Sequence, residues 1–163
     1  MKTAITHLGM VLLLCLPVVA TAQIRYTDPA NRNLAKQIGE SVLRTIKTKE
    51  PKWKLELALE SEFGFHPYLK KGRQEVNFSI YVYDSPDEAS KQLQSHSRWS
   101  SLTAESPLTG IGDEAFYISH RYFSWIGARK GRMLVEVHGP PGLIIIRRFA
   151  QYALDEMALV KKN

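Results

Sequence analysis

Residues 109–121 read TGIGDEAFYISHR and hold the most conspicuous candidates for chemistry in the chain. Gly110 and Gly112 bracket Ile111, and the adjacent acids Asp113 and Glu114 follow. Three readings compete: a phosphate cradle, an acid/base site, and a turn that feeds a strand. A phosphate loop needs a strand before it and a helix after it, so that amides and a helix N-terminus point at the anion. Here the residues after Glu114 alternate as a strand does. Neighbours on a strand point to opposite faces, so the two acids do not readily share one substrate. The structural reading fits better. It has both glycines at positive φ, Ile111 turned inward, and Asp113 bonded to nearby amides at the mouth of a strand.

Other catalytic sets are poorly represented. His66, His96, His120 and His138 contain no i, i+4 pair of the kind that holds zinc on a helix, and the single cysteine, Cys15, lies in an apolar leader. No metal or other cofactor is expected. His138 and Glu136 fall on one face of a strand, where they can form a small polar pair. There is no G-x-S-x-G elbow and no S-x-x-K. The enzymatic alternative is a small periplasmic hydrolase that uses Asp113, Glu114, His120 or His138. It requires at least two of these side chains within hydrogen-bond reach around a cleft.

Recognition has better candidates. The stretch FGFHPYLKKGR places Phe65, His66 and Tyr68 next to Lys70, Lys71 and Arg73. Aromatic faces beside cations suit an anionic ligand, a glycan or an acidic protein partner. Tyr83 and Trp125, with Tyr81 and Phe123, are further aromatic candidates on outward strand faces. All of them are equally suited to cross-strand packing.

The elements that must position these residues follow from periodicity. Asp28-Pro29 reads as an N-cap followed by proline at the first helical position. Leu34, Ile38, Val42 and Ile46 then form one stripe, which predicts a helix over 29–48. Trp53, Leu55, Leu57 and Leu59 alternate with polar residues, the pattern of a half-buried strand. The segment 61–73 reads as a loop. Val76, Phe78, Ile80 and Val82 predict a second strand whose other face carries Asn77, Ser79, Tyr81 and Tyr83. Ser85-Pro86-Asp87-Glu88 is a capping box that opens a helix over 86–98, with Ala89, Leu93 and His96 inward. Residues 100–112 read as a polar connection. Strands follow near 114–119, 122–129 and 132–138. A Lys130-Gly131 turn would set Arg129 against Arg132, Trp125 against Glu136, and Phe123 against His138. Ile146, Phe149, Ala150, Ala153 and Met157 mark a last helix at about 143–160. The order α-β-β-α-β-β-β-α implies an α+β domain, a mainly antiparallel sheet of about five strands with three helices.

The first residues place this domain in the cell. Lys2, an apolar run densest from Met10 to Val19, and Ala20-Thr21-Ala22 before Gln23 have the anatomy of a signal peptide over 1–22. Leu12 to Leu14 lack the small residue expected before a lipoprotein cysteine. The expectation is a single soluble domain over 23–163, periplasmic or secreted. The formal net charge of +6 favours anionic partners. For an exported chain this means ligands, glycans or peripheral contact with an anionic envelope surface, and not nucleic acid.

Gly112-Asp113-Glu114-Ala115-Phe116, the hairpin at Ala128–Arg132, and Arg147-Arg148-Phe149-Ala150 in a final helix together resemble a group of small exported bacterial domains of unknown function. The same phrase occurs in extracellular sensor-like domains of bacterial serine/threonine kinases, and the layout is similar to the PsbP-like α/β/α sandwich. The resemblance covers roughly residues 76–160. It implies a non-catalytic domain that binds a ligand or partner.

Overall fold

The computed structural model describes residues 28–98 and 105–160. The leader expected at 1–22 lies outside these residues, as does the start of the connection expected at 100–112.

The first helix, α1 (Pro29–Lys49), starts as the sequence predicts. Asp28 Oδ1 accepts the amide of Ala30 at 2.7 Å, and Pro29 occupies the first turn, where a missing N–H leaves nothing unpaired. Ala35, Ile38, Val42 and Ile46 are buried, with Leu34 at the margin of the stripe. Three strands follow: β1 (Lys54–Glu60), β2 (Phe65–Lys71) and β3 (Gln74–Val82). Then come α2 (Pro86–Arg98), β4 (Glu105–Pro107), β5 (Glu114–Ser119), β6 (Ser124–Lys130), β7 (Met133–Gly139) and α3 (Leu143–Val160). The strands form one antiparallel sheet in the order β1-β2-β3-β7-β6-β5-β4.

The α+β class, the three helices and the antiparallel sheet agree with the sequence reading, but the sheet has seven strands, not about five. The two additional strands are β2 and β4. Residues 61–73 read as a loop because Pro67, two lysines and flanking glycines mask the alternation of Phe65, Pro67 and Leu69, which are all buried. Pro67 does leave a trace. The β2–β3 register pairs Phe65 with Ile80 and resumes only at Tyr68 with Asn77.

Two finer expectations are also corrected. β1 forms, and Trp53 beside it is buried, but Leu55, Leu57 and Leu59 are 49%, 50% and 53% exposed. β1 is an edge strand, and a bulge between Leu55 and Leu57 switches their sides. The β6–β7 turn is Gly131-Arg132, so Lys130 pairs with Met133, Trp125 with His138, and Glu136 with Gly127. Gly131 has φ +59° in the first central position, and no residue other than glycine has positive φ among the described residues. This fits a type II′ turn, which wants glycine there.

The first face of the sheet carries α1 and α3. Phe78, Ile80, Ile126, Val135 and Val137 pack there against Ile38, Val42, Phe149 and Met157. Phe149 meets Trp53 edge-on with ring centroids 5.2 Å apart. The second face carries α2, which lies over β5, β6 and β7. Its Leu93 joins Ile118, Trp125 and Leu134. Gly127 makes this landing possible, since a Cβ there would come within 2.6 Å of Leu93 and 2.5 Å of Trp125. The capping box forms by half. Ser85 Oγ accepts the amide of Glu88 at 3.1 Å, while the Glu88 carboxylate reaches Asp84 N and not Ser85 N.

Candidate functional site

The two acids of the G-x-G-D-E phrase are consumed by their own corner of the fold. Gly110 and Gly112 have φ of +72° and +64°, and Ile111 is buried. Asp113 N donates to Arg129 O at 2.7 Å, and Asp113 Oδ2 accepts Gly131 N at 2.6 Å. Lys130 Nζ reaches Asp113 Oδ1 at 3.1 Å. The amide that Asp113 satisfies thus belongs to the distant β6–β7 turn. That backbone hydrogen bond is the largest cause holding the Asp113 carboxyl below its ordinary range. Glu114, on the other face, accepts from Ser90, Gln94 and Arg129. Burial alone would raise its carboxyl, but these donors together hold it below the ordinary range.

The four residues of the hydrolase reading do not converge. Asp113 and Glu114 sit at the start of β5. His120 follows its far end, stacked with Phe123 at 5.0 Å. His138 lies on β7 against Trp125, with centroids 6.3 Å apart.

Another constellation forms on the second face, where α2 stops short of β1, β2 and β3. The register fixes two rows across this half. One runs Leu59, His66, Ser79, Glu136, and the next runs Leu57, Tyr68, Asn77, His138, Trp125. Ser61 Oγ accepts the amides of Phe63 and Gly64 at 3.1 and 3.2 Å and lies 2.8 Å from His66 Nε2. The Ser61 hydroxyl also lies 3.5 Å from Gly64 O, and His66 Nδ1 lies 3.1 Å from Ser79 Oγ, so both ring nitrogens have a hydroxyl partner. Burial also pushes the His66 pKa down, so the ring is neutral at physiological pH.

The end of this half-face next to α2 is closed by Tyr81, Glu136 and His96. The Glu136 side chain is only 9% exposed, and its Oε1 lies 2.5 Å from His96 Nδ1. Its Oε2 is 3.5 Å from the Tyr81 hydroxyl. The hydrogen bond to Glu136 raises the His96 pKa against the opposing effect of burial. Burial and the nearby carboxylate push the Tyr81 phenol up to about 12. Tyr81 stands between the rings of His66 and His96, at 5.7 and 6.4 Å.

The residues singled out for binding therefore separate. His66, Tyr68 and Lys70 share the second face, and Lys70 lies 3.8 Å from Glu75. Phe65 and Trp125 are each 4% exposed, so neither ring is available to a ligand. Phe65 packs where α1 has Gly39, whose missing Cβ makes room for the ring, and Trp125 lies beneath α2. Tyr83 is partly buried against the same helix. Lys71 faces the first side, 5.9 Å from the Trp53 ring centre, and Arg73 is in the β2–β3 turn. Asn77, Ser79, His96 and Glu136 were not candidates for binding. Only the alternation of β3 pointed to the outward side of Asn77 and Ser79.

Among the described residues, no group of three or more His, Cys, Asp or Glu could hold a metal ion, and no helix is long and apolar enough to cross a membrane. No protein-family model matches this chain, and no curated protein matches it significantly.

Proposed function

We propose that this chain is an exported, non-catalytic binding protein whose recognition surface is the half of the second face left open by α2. The observation that carries this reading is the disposition of the acids. Asp113 and Glu114 are engaged by Gly131, Lys130, Arg129, Ser90 and Gln94, and Glu136 is engaged by His96. The open half instead presents Tyr68, Asn77, His66 and His138, groups suited to stacking and hydrogen bonding. The signal-like leader supports export, and helices on both faces of the sheet are in keeping with the PsbP-like layout that the sequence resembles.

The test is a set of amide chemical-shift titrations with three probes: an acidic peptide, heparin as an anionic glycan, and a neutral disaccharide. The reading requires at least one of them to shift residues of β2, β3 and β7 on this face, with the shift reduced in a Tyr68→Ala, Lys70→Ala variant. No response to any probe, or responses confined to other surfaces, rejects it. A hydrolase on a different pair, outside the four residues of the sequence reading, would use His96 oriented by the buried Glu136 carboxylate. It predicts turnover of a generic ester that disappears in His96→Ala.

A further inference from the structure

Strand register gathers several loops and helix ends at one end of the molecule. The pairs Ser119–Ser124 and Ser124–Gly139 place the β5–β6 hairpin beside the exit of β7. Asn77 opposite His138 brings the β2–β3 turn to the same end. α1 finishes there, because only four residues separate Lys49 from the start of β1 at Lys54. α3 begins there, three residues after β7.

This end is strongly basic. α1 and its link to β1 contribute Lys47, Lys49, Lys52 and Lys54. The β2–β3 hairpin adds Lys71 and Arg73, and Arg121 and Arg147 stand on the β5–β6 hairpin and the second turn of α3. All eight are exposed, and among the described residues none is in an ion pair. Two acids in their midst are already engaged, Glu50 by Arg148 at 2.7 Å and Glu75 by Lys70 at 3.8 Å. Glu56 and Glu105, on β1 and at the start of β4, are too few to offset the surplus. The far end mixes both signs: Asp28, Glu62, Asp84 and Asp87 lie there with Lys130 and Arg132.

The basic end also carries exposed apolar side chains. Ile144 and Tyr122 are 75% and 67% exposed, and Phe123 is 40% exposed. They sit on a fixed frame. His120 N donates to Phe123 O at 2.9 Å across the hairpin, and Arg121 lies 4.4 Å from the Tyr122 ring centre. Gly142 N donates to Ser124 Oγ at 3.0 Å, which ties the start of α3 to the base of the hairpin.

The combination selects the partner. A soluble polyanion is met by cations alone and leaves Tyr122 and Ile144 in water. A bilayer with anionic headgroups answers both features. Its surface potential attracts lysine and arginine, and its interface takes up aromatic and aliphatic side chains. Cations spread over four separate elements suit a broad surface better than a narrow ligand. We propose that this end docks on an anionic phospholipid surface, with Tyr122, Phe123 and Ile144 entering the interface and the surrounding cations on the headgroups. The contact does not use the second face of the sheet, so it stands or fails independently of the binding reading above.

The experiment is co-sedimentation of the chain from Gln23 onward, which holds every described element, with two kinds of vesicle. One contains phosphatidylglycerol and phosphatidylcholine in equal amounts, the other phosphatidylcholine alone. Binding should require the anionic lipid and fall steeply with added salt. Arg121→Glu should weaken it about tenfold or more, since one lost cation near such a surface is worth about fivefold and the reversal adds repulsion. Lys91→Glu makes the same change in net charge on α2, away from this end, and should leave the affinity within about twofold. Tyr122→Ser should weaken binding several-fold, whereas Tyr122→Trp, which keeps an interfacial ring, should bind as the parent does. Equal binding to both vesicles, equal effects of Arg121→Glu and Lys91→Glu, or an unchanged affinity in Tyr122→Ser overturns the proposal. Binding to heparin without binding to the anionic vesicles overturns it as well.

Discussion

Two carboxylate centres of this molecule look alike in composition and behave differently. At the β5 corner, Asp113 and Glu114 are partly exposed and surrounded by lysine, arginine and backbone donors. Where α2 meets the open half of the second face, Glu136 is nearly buried, with a single histidine as its close partner. The corner resembles an active site in sequence, yet its acids hold a turn. The second centre is inconspicuous in sequence, yet it places a carboxylate and three imidazoles around the open surface. Adjacency in the chain was a poor guide because strand neighbours diverge, whereas residues brought together by strand order share a face.

The largest effect that would sharpen this contrast is expected from His96→Ala. It leaves the Glu136 carboxylate desolvated without its cation. The loss should be about 2–3 kcal/mol in urea denaturation, below the value for a fully buried pair because His96 is partly exposed. Glu136→Gln should be milder, since the freed histidine can shed its proton. If Glu136→Gln were the more damaging change, the asymmetry claimed for this pair would be wrong. Next is Asp113→Ala, expected to be destabilising by about 1.5–2 kcal/mol through the orphaned Gly131 amide. Asp113→Asn should recover part of that loss, because the amide oxygen still accepts.

The pH dependences should separate the centres in opposite directions. The His96 pKa is raised above its ordinary 6.5. Its stabilisation is therefore complete below 6.5 and is lost as pH rises through the folded value. Asp113 is lowered from 3.8, so its contribution is complete above 3.8 and is lost as pH falls through the folded value. His66, with a lowered pKa, adds a separate penalty on the acid side of 6.5 as its buried ring is forced to charge. Comparing stability curves of the parent and His96→Ala between pH 5 and 9 reports the first effect, with a smaller contribution from His138, whose pKa is lowered chiefly by burial and in part by His96. A constant difference across that range would refute it. The smallest change should come from Glu114→Gln, within about 1 kcal/mol, because a partly exposed ion pair contributes little.

Much of the scaffold was legible. Stripes and caps located α1, α2 and α3, and period-two alternation located β3, β5, β6 and β7 with small boundary errors. What failed depended on distant contacts. Pro67 and the neighbouring lysines concealed β2, and the three residues of β4 carry no periodic signal. Placing the turn one residue early at Lys130-Gly131 misassigned Trp125 to Glu136. On the open half of the second face, His66 and Tyr68 were legible as an aromatic cluster. Their partners Asn77, Ser79 and His138 were not, because β7 follows β3 in space only after about fifty intervening residues of chain. Phe65 and Trp125 were misjudged for the same reason, since aromatic character does not reveal which helix will cover a ring.

The interruption at Pro67 has a mechanical consequence. Proline has no amide hydrogen to donate, so the seam between β2 and β3 has a gap beside His66. Beyond that seam, β1 is exposed along its whole length and, among the described residues, has no outer neighbour in the sheet. The β1–β2 pair is therefore the outer margin of the described sheet, and proton exchange with solvent should reach its amides before those of β6 and β7. That margin is fastened only on its inner side, where Phe65 and Leu69 of β2 enter the hydrophobic interior, so loosening is expected to start at β1 and to stop at those two side chains.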